Sequence, residues 1–223
     1  MLVTEIPGRT RFEAGECLPM HRHADAYAAV IVEGSYDEFG FDGRYVCQAG
    51  DVVLHPRVHA HGNAFPQGRA RVVNIPLPGM LADAHGLKVF NAPDVQSLLA
   101  LAADNPVKAG HALIEEGAGR PPLAPPSWLT GFTLRLLAGA SVAASARQAG
   151  CSPEHASRTC RSWFGLSPLA LRREARMRAA IAALRDGAKI SEAAQIGEFS
   201  DQPHLTRVLR HQTGLTPAGF RGH

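Results

Sequence analysis

A chain of 223 residues, 45% of them hydrophobic, is long enough for two ordinary domains with real cores. It has no run of about 18 apolar residues, which argues against a membrane span, and its start, M-L-V-T-E-I-P-G-R, lacks the basic-then-apolar order of an export signal. The net charge of +3 divides unevenly: residues 1–126 carry 10 Lys and Arg against 14 Asp and Glu, a net −4, while residues 127–223 carry 13 against 6, a net +7. An acidic half joined to a basic half is the pattern of a regulatory module attached to a polyanion-binding one. The four cysteines, Cys17, Cys47, Cys151 and Cys160, form no C-x-x-C, so a reduced cytoplasmic chain with free thiols is expected.

From Val3 to about Pro76 the pattern favours strands. V-I-V-E-G, R-Y-V-C, D-V-V-L and R-V-V-N-I are short β-branched runs bounded by glycine, proline or aspartate. Strands at this close spacing predict a small sandwich or barrel. Residues 87–104 read as a last strand and then a helix, capped by Asn91 or Asp94. The stretch G-R-P-P-L-A-P-P-S at residues 119–127 reads as an extended, semi-rigid linker.

Helical periodicity then runs to the end. Leu129, Phe132, Leu136 and Leu137 form one helix that Gly139 ends, and Val142 to Ala149 form another that stops at Gly150. Ser152 caps a third helix with Pro153 at its first position, where proline costs nothing. A long helix follows, with Leu171, Ala175, Met177, Ile181 and Leu184 as its buried stripe and Arg172, Arg173, Arg176 and Arg178 facing outward. Ile190 to Ile196 supports, Gly197-Glu198-Phe199 turns, and Asp201 caps a last helix. The two capped helices form a degenerate repeat offset by 49 residues: S-P-E-H-A-S-R-T-C-R-S-W-F-G-L-S-P from Ser152, and D-Q-P-H-L-T-R-V-L-R-H-Q-T-G-L-T-P from Asp201. Each reads as the second half of a helix-turn-helix.

In a major groove such a helix presents its N-terminal residues to base edges. The candidates in the first copy are Glu154, His155, Ser157, Arg158 and Arg161. In the second they are Gln202, His204, Thr206, Arg207 and Arg210. Arg158 and Arg207 have the fork that pairs with guanine, and Gln202 can pair with adenine. Arg161, Arg210 and the central arginines suit phosphates, which position without specifying sequence.

The segment A-Q-I-G-E-F-S-D-Q-P-H-L-T-R-V-L-R-H-Q-T-G-L-T-P-A-G-F-R, Ala194 to Arg221, resembles the DNA-binding signature of the AraC/XylS family of bacterial transcription regulators. The resemblance covers roughly the last 95 residues. It implies an all-α domain at 127–223 with two helix-turn-helix units joined by a long helix, binding promoter or operator DNA. RNA polymerase and a second copy of the chain, met through the β domain or the helix near residues 93–104, are the further candidate partners. Three departures stand out. The family's turn glycine falls at Glu198. The aromatic inside each recognition helix is Cys160 in the first unit and Leu209 in the second. Ala156 replaces a leucine that Leu205 keeps. The first unit is therefore expected to pack more loosely.

Residues 15–34, G-E-C-L-P-M-H-R-H-A-D-A-Y-A-A-V-I-V-E-G, resemble the first motif of the cupin superfamily, with Tyr27 where a glutamate is usual. Residues 50–63 resemble the second through Gly50, Pro56 and His61, with Val58 in place of a glycine. The resemblance implies an all-β cupin barrel at 1–80 acting as an effector sensor, with 81–126 as connecting strand, helix and linker. His21 and His23 are two apart, so on a strand they share a face, and His59 and His61 would do likewise. A metal set of His21, His23, His61 and His59 would suit zinc, iron, nickel, copper or manganese. Tyr27, His55 and Cys17 stand beside it. The same histidines with Tyr27 and His55 could instead line a pocket for a small organic effector. The leading reading is a DNA-binding regulator and not an enzyme, nucleoid-associated when bound. The alternative is a metal-dependent cupin enzyme of dioxygenase or isomerase type fused to a DNA-binding module.

Overall fold

The structure of the protein, a computed structural model, describes residues 3–4, 11–77, 86–115 and 119–221. Of the stretch read for an export signal, residues 1–2 and 5–9 fall outside them. The chain divides into two compact units, one reaching to Leu123 and one running from Ala124.

The first unit is built from ten strands: β1 (Val3–Thr4), β2 (Arg11–Phe12), β3 (Cys17–His23), β4 (Tyr27–Glu33), β5 (Ser35–Gly40), β6 (Gly43–Gln48), β7 (Asp51–His55), β8 (His61–Ala64), β9 (Ala70–Pro76) and β10 (Lys88–Asn91). They form two five-stranded sheets, ordered β1-β3-β8-β5-β6 and β10-β7-β4-β9-β2. Every pairing is antiparallel except β1 with β3. Short hairpins suffice to join such neighbours. One of them turns at Gly34, whose φ is 75°, and a Cβ there would lie 1.9 Å from the Arg69 carbonyl oxygen.

Side chains alternate across each strand. Tyr27, Ala29 and Ile31 of β4 face Tyr36, Cys47, Phe65 and Val89 in one core. Ala28 and Val30 face the other way and join Val52, Leu54, Ile75 and Leu113 in a second core. That outer core is closed by α1 (Val95–Asp104) and α2 (Pro106–Glu115). Covering both faces explains why β4 is buried almost throughout and lacks the alternation of a half-exposed strand. Of the two candidate caps of α1, Asp94 is the one used: its carboxylate accepts from the Ser97 N–H at 3.0 Å.

The folded β unit extends past residue 80. Strand β10 pairs with β7 in register Lys88 to Leu54. The start of the proline-rich stretch is laid against the same unit. The Arg120 N–H donates to the Val89 carbonyl at 2.7 Å and the Leu123 N–H to the Arg44 carbonyl at 2.8 Å. The units therefore part at Leu123, ahead of the expected boundary at 126.

The second unit holds α3 (Ser127–Leu137), α4 (Val142–Gln148), α5 (Pro153–Phe164), α6 (Pro168–Arg185), α7 (Ile190–Ile196), α8 (Gln202–Thr213) and a short 3₁₀ turn, Pro217–Phe220. Leu129, Phe132, Leu136, Leu171, Met177, Ile181, Leu184, Leu205 and Leu209 are its core. Among the described residues no helix is long and apolar enough to cross a membrane.

The turn before α8 carries the backbone strain of this unit. Glu198 adopts φ 53°, a left-handed conformation that favours glycine. Its neighbour Gly197 has an ordinary φ, but a Cβ there would meet the Arg176 carbonyl oxygen at 2.8 Å and the Ala180 Cβ at 2.9 Å. The residue with a side chain thus takes the strain, because the glycine is needed where helix meets helix. Gly197→Ala is expected to cost about 1–3 kcal/mol through that collision. Glu198→Gly should stay within about 1 kcal/mol, since relief of strain and loss of an exposed ion pair oppose each other. Thermal unfolding of the two variants side by side checks the ordering.

Candidate functional site

The two repeated helices begin and end alike. The Ser152 hydroxyl accepts from the His155 N–H at 3.1 Å, and the Asp201 carboxylate accepts from the His204 N–H at 2.6 Å. Pro153 and Pro203 occupy the first turns, and Gly165 and Gly214 close the helices in left-handed conformation, φ 66° and 75°. Such caps satisfy backbone groups that a helix end leaves open. The first turns therefore need no neighbouring element, and their side chains stay outside.

Glu154, His155, Arg158 and Arg161 of α5 are exposed and Ser157 is half-buried. Pro153, Glu154, Ser157, Arg158 and Arg161 line a surface concavity of about 280 Å³. The backbone N–H groups at the helix start, Ser152 and Arg158 together hold the Glu154 carboxyl below its usual range. The His155 ring lies 5.2 Å from that of Trp128.

On α8, Gln202, Arg207 and Arg210 are exposed. Two candidates of the same helix, both half-buried, have partners within this unit. His204 contacts the Ser200 hydroxyl at 3.0 Å through Nδ1, and its ring meets Phe199 at 5.4 Å. The Thr206 hydroxyl donates to the Gln202 carbonyl at 2.9 Å within its own helix.

The central helix α6 departs from expectation at two of its four arginines. Arg172 donates through Nε to the Leu136 carbonyl at 3.0 Å and through Nη2 to the Ala140 carbonyl. It therefore satisfies the open C-terminal carbonyls of α3. Arg176 pairs with Glu198. Both tie the helix to its neighbours. In the first unit the small residues Ala156 and Cys160 are both 0% exposed. Burial pushes the Cys160 thiol up to about 11. A cavity of about 530 Å³ lies between α6 and α8, lined by Met177, Phe199, His204 and Val208 among others.

In the β unit the histidines converge. The His61 ring lies 4.3 Å from that of His21, 4.3 Å from His55, 5.4 Å from His23 and 5.8 Å from His59, centre to centre. Tyr27 stacks on His55 at 4.5 Å, and its hydroxyl lies 3.3 Å from His61 Nε2. Two sets of three offer ligand atoms within 4.8 Å of one another, and His61 belongs to both: His21, His23, His61 and His55, His59, His61. His21 and His23 do lie on one strand, β3. His59 does not share a strand with His61. It sits in the turn before β8, whose first residue is His61. Cys17 is exposed, and all four cysteines are free.

Sequence reasoning missed the acids behind these rings. Glu38 of β5 is 0% exposed. Its Oε2 accepts from the Asn63 amide at 2.6 Å and its Oε1 lies 3.9 Å from His55 Nδ1. Asp42 Oδ2 lies 2.5 Å from His59 Nε2. Burial raises the Glu38 carboxyl well above the usual carboxylate range, against the pull of Asn63. Burial, and then the neighbouring imidazoles, hold His55 and His61 well below 6.5. Burial also lowers His21, opposed by its bond to the Pro19 carbonyl. His21, His55 and His61 are thus biased toward the neutral form, in which an imidazole donates to a metal. The cavity beside Tyr27, His55 and Asn63 is only about 30 Å³.

Residues 145–223 match the model of a helix-turn-helix domain. With two capped helices, each preceded by a supporting helix and joined through α6, the second unit is a tandem helix-turn-helix domain. Among solved structures the chain is similar to ToxT from Vibrio cholerae O395, at 10% identity over 95% of this chain and 94% of that one, TM-score 0.43. An AraC-type regulator from Chromobacterium violaceum is similar at 23% identity over 42% and 88%, TM-score 0.39. The C-terminal domain of AraT from Geobacillus stearothermophilus is similar at 19% over 43% and 84%, TM-score 0.38. No protein of curated function matches the chain.

Proposed function

We propose that this chain is a cytoplasmic, sequence-specific transcription regulator that reads promoter DNA with the first turns of α5 and α8. Its β unit takes a divalent transition-metal effector that shifts DNA affinity. The observation that carries the DNA reading is the duplication itself. Two helices with the same cap, the same closing glycine and an exposed arginine at the matching position, Arg158 and Arg207, flank the 18-residue helix α6. At about 1.5 Å per residue α6 spans roughly 27 Å. That is on the scale of the ~34 Å repeat between successive major grooves on one DNA face.

The side chains divide by geometry. Arg158, Arg207 and Gln202 are the base readers, with Glu154 and Ser157 beside the first of them. Arg161 and Arg210 contact phosphate. His204, engaged with Ser200 and Phe199 of the preceding turn, orients the helix. Arg207→Ala is expected to weaken operator binding by about 1–3 kcal/mol and to relax preference at one base position. Selection of bound sequences from a random pool with both proteins tests this. An equal loss across all sequences would make Arg207 a phosphate contact and sink the assignment.

The metal reading rests on the buried cluster of converging imidazoles and on the volume beside it. A drug-sized effector needs roughly 300–1,000 Å³, an order of magnitude more than the cavity next to Tyr27 and His55. An ion needs only donors. For the ion to act as a switch it must bind the two DNA-affinity states unequally.

A further inference from the structure

The loop H-P-R-V-H-A-H, His55 to His61, brings three imidazoles together by an unusual backbone. Val58, a β-branched residue, adopts φ 53° and is buried. Strain of this kind persists only where the surroundings over-determine it, and it clusters at ligand sites. Here the Val58 N–H is held by the His23 carbonyl at 2.9 Å, its own carbonyl accepts from Arg22, and the His59 N–H bonds back to the Pro56 carbonyl at 3.2 Å. The turn is thereby closed, and His59 returns toward His55 and His61.

All three rings are more than nine-tenths buried, at 2%, 7% and 1% exposure for His55, His59 and His61. In each, Nδ1 is buried and has no hydrogen-bond partner among the described residues. Two of the three have a partner on the opposite nitrogen, Asp42 on His59 Nε2 and the Tyr27 hydroxyl on His61 Nε2. An Nε2–H donated outward leaves the Nδ1 lone pair facing inward, as in metal sites where a carboxylate backs a ligating histidine. Glu38 Oε1 is a fourth buried atom without a hydrogen-bond partner among the described residues. Its 3.9 Å from His55 Nδ1 compares with the ~3.3–3.5 Å between neighbouring donors of a tetrahedral zinc ion.

We propose that the metal position of the β unit is the inner set, His55, His59 and His61 through Nδ1 with Glu38 as the carboxylate ligand. Asp42 and Tyr27 then serve as outer partners that fix the rings. Three imidazoles and one carboxylate suit a tetrahedral borderline cation such as Zn²⁺ or Co²⁺. The proposal rests on the metal reading above but assigns the ion to a set that the H-x-H pair of β3 does not complete. His21 of that pair is only half-buried, whereas all three imidazoles of the inner set are buried.

Metal-free full-length protein titrated with Co²⁺, then with Zn²⁺ against a chromophoric chelator, tests it. The expected result is one equivalent with the strong visible bands of tetrahedral cobalt. His55→Gln and His59→Gln should each lower affinity by more than the roughly 10–100-fold typical of losing an outer partner, and Asp42→Asn by about that amount. Glu38→Gln should change the cobalt spectrum. The double variant His21→Ala, His23→Ala should bind within about 10-fold of wild type. Asp42 lies at the rim, 23% exposed, so its variant still reports if the buried ones misfold. Loss of binding in the His21, His23 double variant with normal binding in His59→Gln and Asp42→Asn would overturn this assignment and leave the metal reading standing. No binding by wild type would overturn both.

Discussion

Leu205→Ala is expected to destabilise the carboxy-terminal unit by about 2–5 kcal/mol and to abolish operator binding at moderate protein concentration. Leu205 is 0% exposed and stands one turn before Leu209, also 0% exposed, on the inner face of α8. Its removal deletes apolar atoms from a fully buried face of the helix. The first unit behaves in the opposite sense. Ala156 stands where the second copy has Leu205, and it is equally buried. Ala156→Leu should therefore cost about 1–3 kcal/mol by overpacking. Urea unfolding of both variants, with the slope unchanged, checks the pair. A stabilising Ala156→Leu would show that the first unit has the looseness its small residues imply.

That contrast marks where the sequence was legible. The second unit was readable because caps, glycine stops and the apolar stripe are local signals. Ser152, Asp201, Gly165 and Gly214 all do what their chemistry requires. Packing was not readable, since Ala156 and Cys160 reveal nothing of what closes over them. Arg172 and Arg176 looked like solvated arginines, but their partners, the Ala140 carbonyl and Glu198, lie more than 20 residues away in the chain. In the β unit the histidine cluster was legible from H-x-H spacing, except for His59, which a turn and not a strand delivers. Glu38 was missed because Asp37 and Glu38 are adjacent and either could face inward. A period-2 reading from the apolar Tyr36 would have chosen Glu38, which the sheet sets opposite Asn63 of β8. Its pairing with His55 crosses from one sheet to the other, and no local signal carries that.

Arg120→Ala should destabilise the β unit by about 2–3 kcal/mol, and Asp51→Asn in the same chain should recover part of the loss. Asp51 is 1% exposed, at the start of β7. Its two oxygens accept from both terminal nitrogens of Arg120, each at 2.8 Å, and Oδ2 also accepts from the Gln48 N–H. Breaking a buried pair by removing one partner costs about 3–5 kcal/mol, because it leaves a charge in low dielectric. Arg120 is 35% exposed, so water reaches the pair and the lower figure applies. An amide at position 51 is cheaper to leave half-satisfied than a carboxylate, hence the recovery. The consequence reaches beyond stability. Arg120 pins the last segment of the β unit before the chain enters the DNA-binding unit at Ala124, and β7 runs from Asp51 at the clasp to His55 in the histidine cluster. On the metal reading proposed above, an ion held by His55 would act on the strand that holds the clasp. Arg120→Ala should therefore weaken the change in DNA affinity caused by Zn²⁺ while leaving Zn²⁺ affinity within about 10-fold of wild type, since no ligand is lost. Mobility shifts with and without Zn²⁺, beside calorimetric Zn²⁺ titrations, separate the two. An undiminished response would place the coupling elsewhere than along β7.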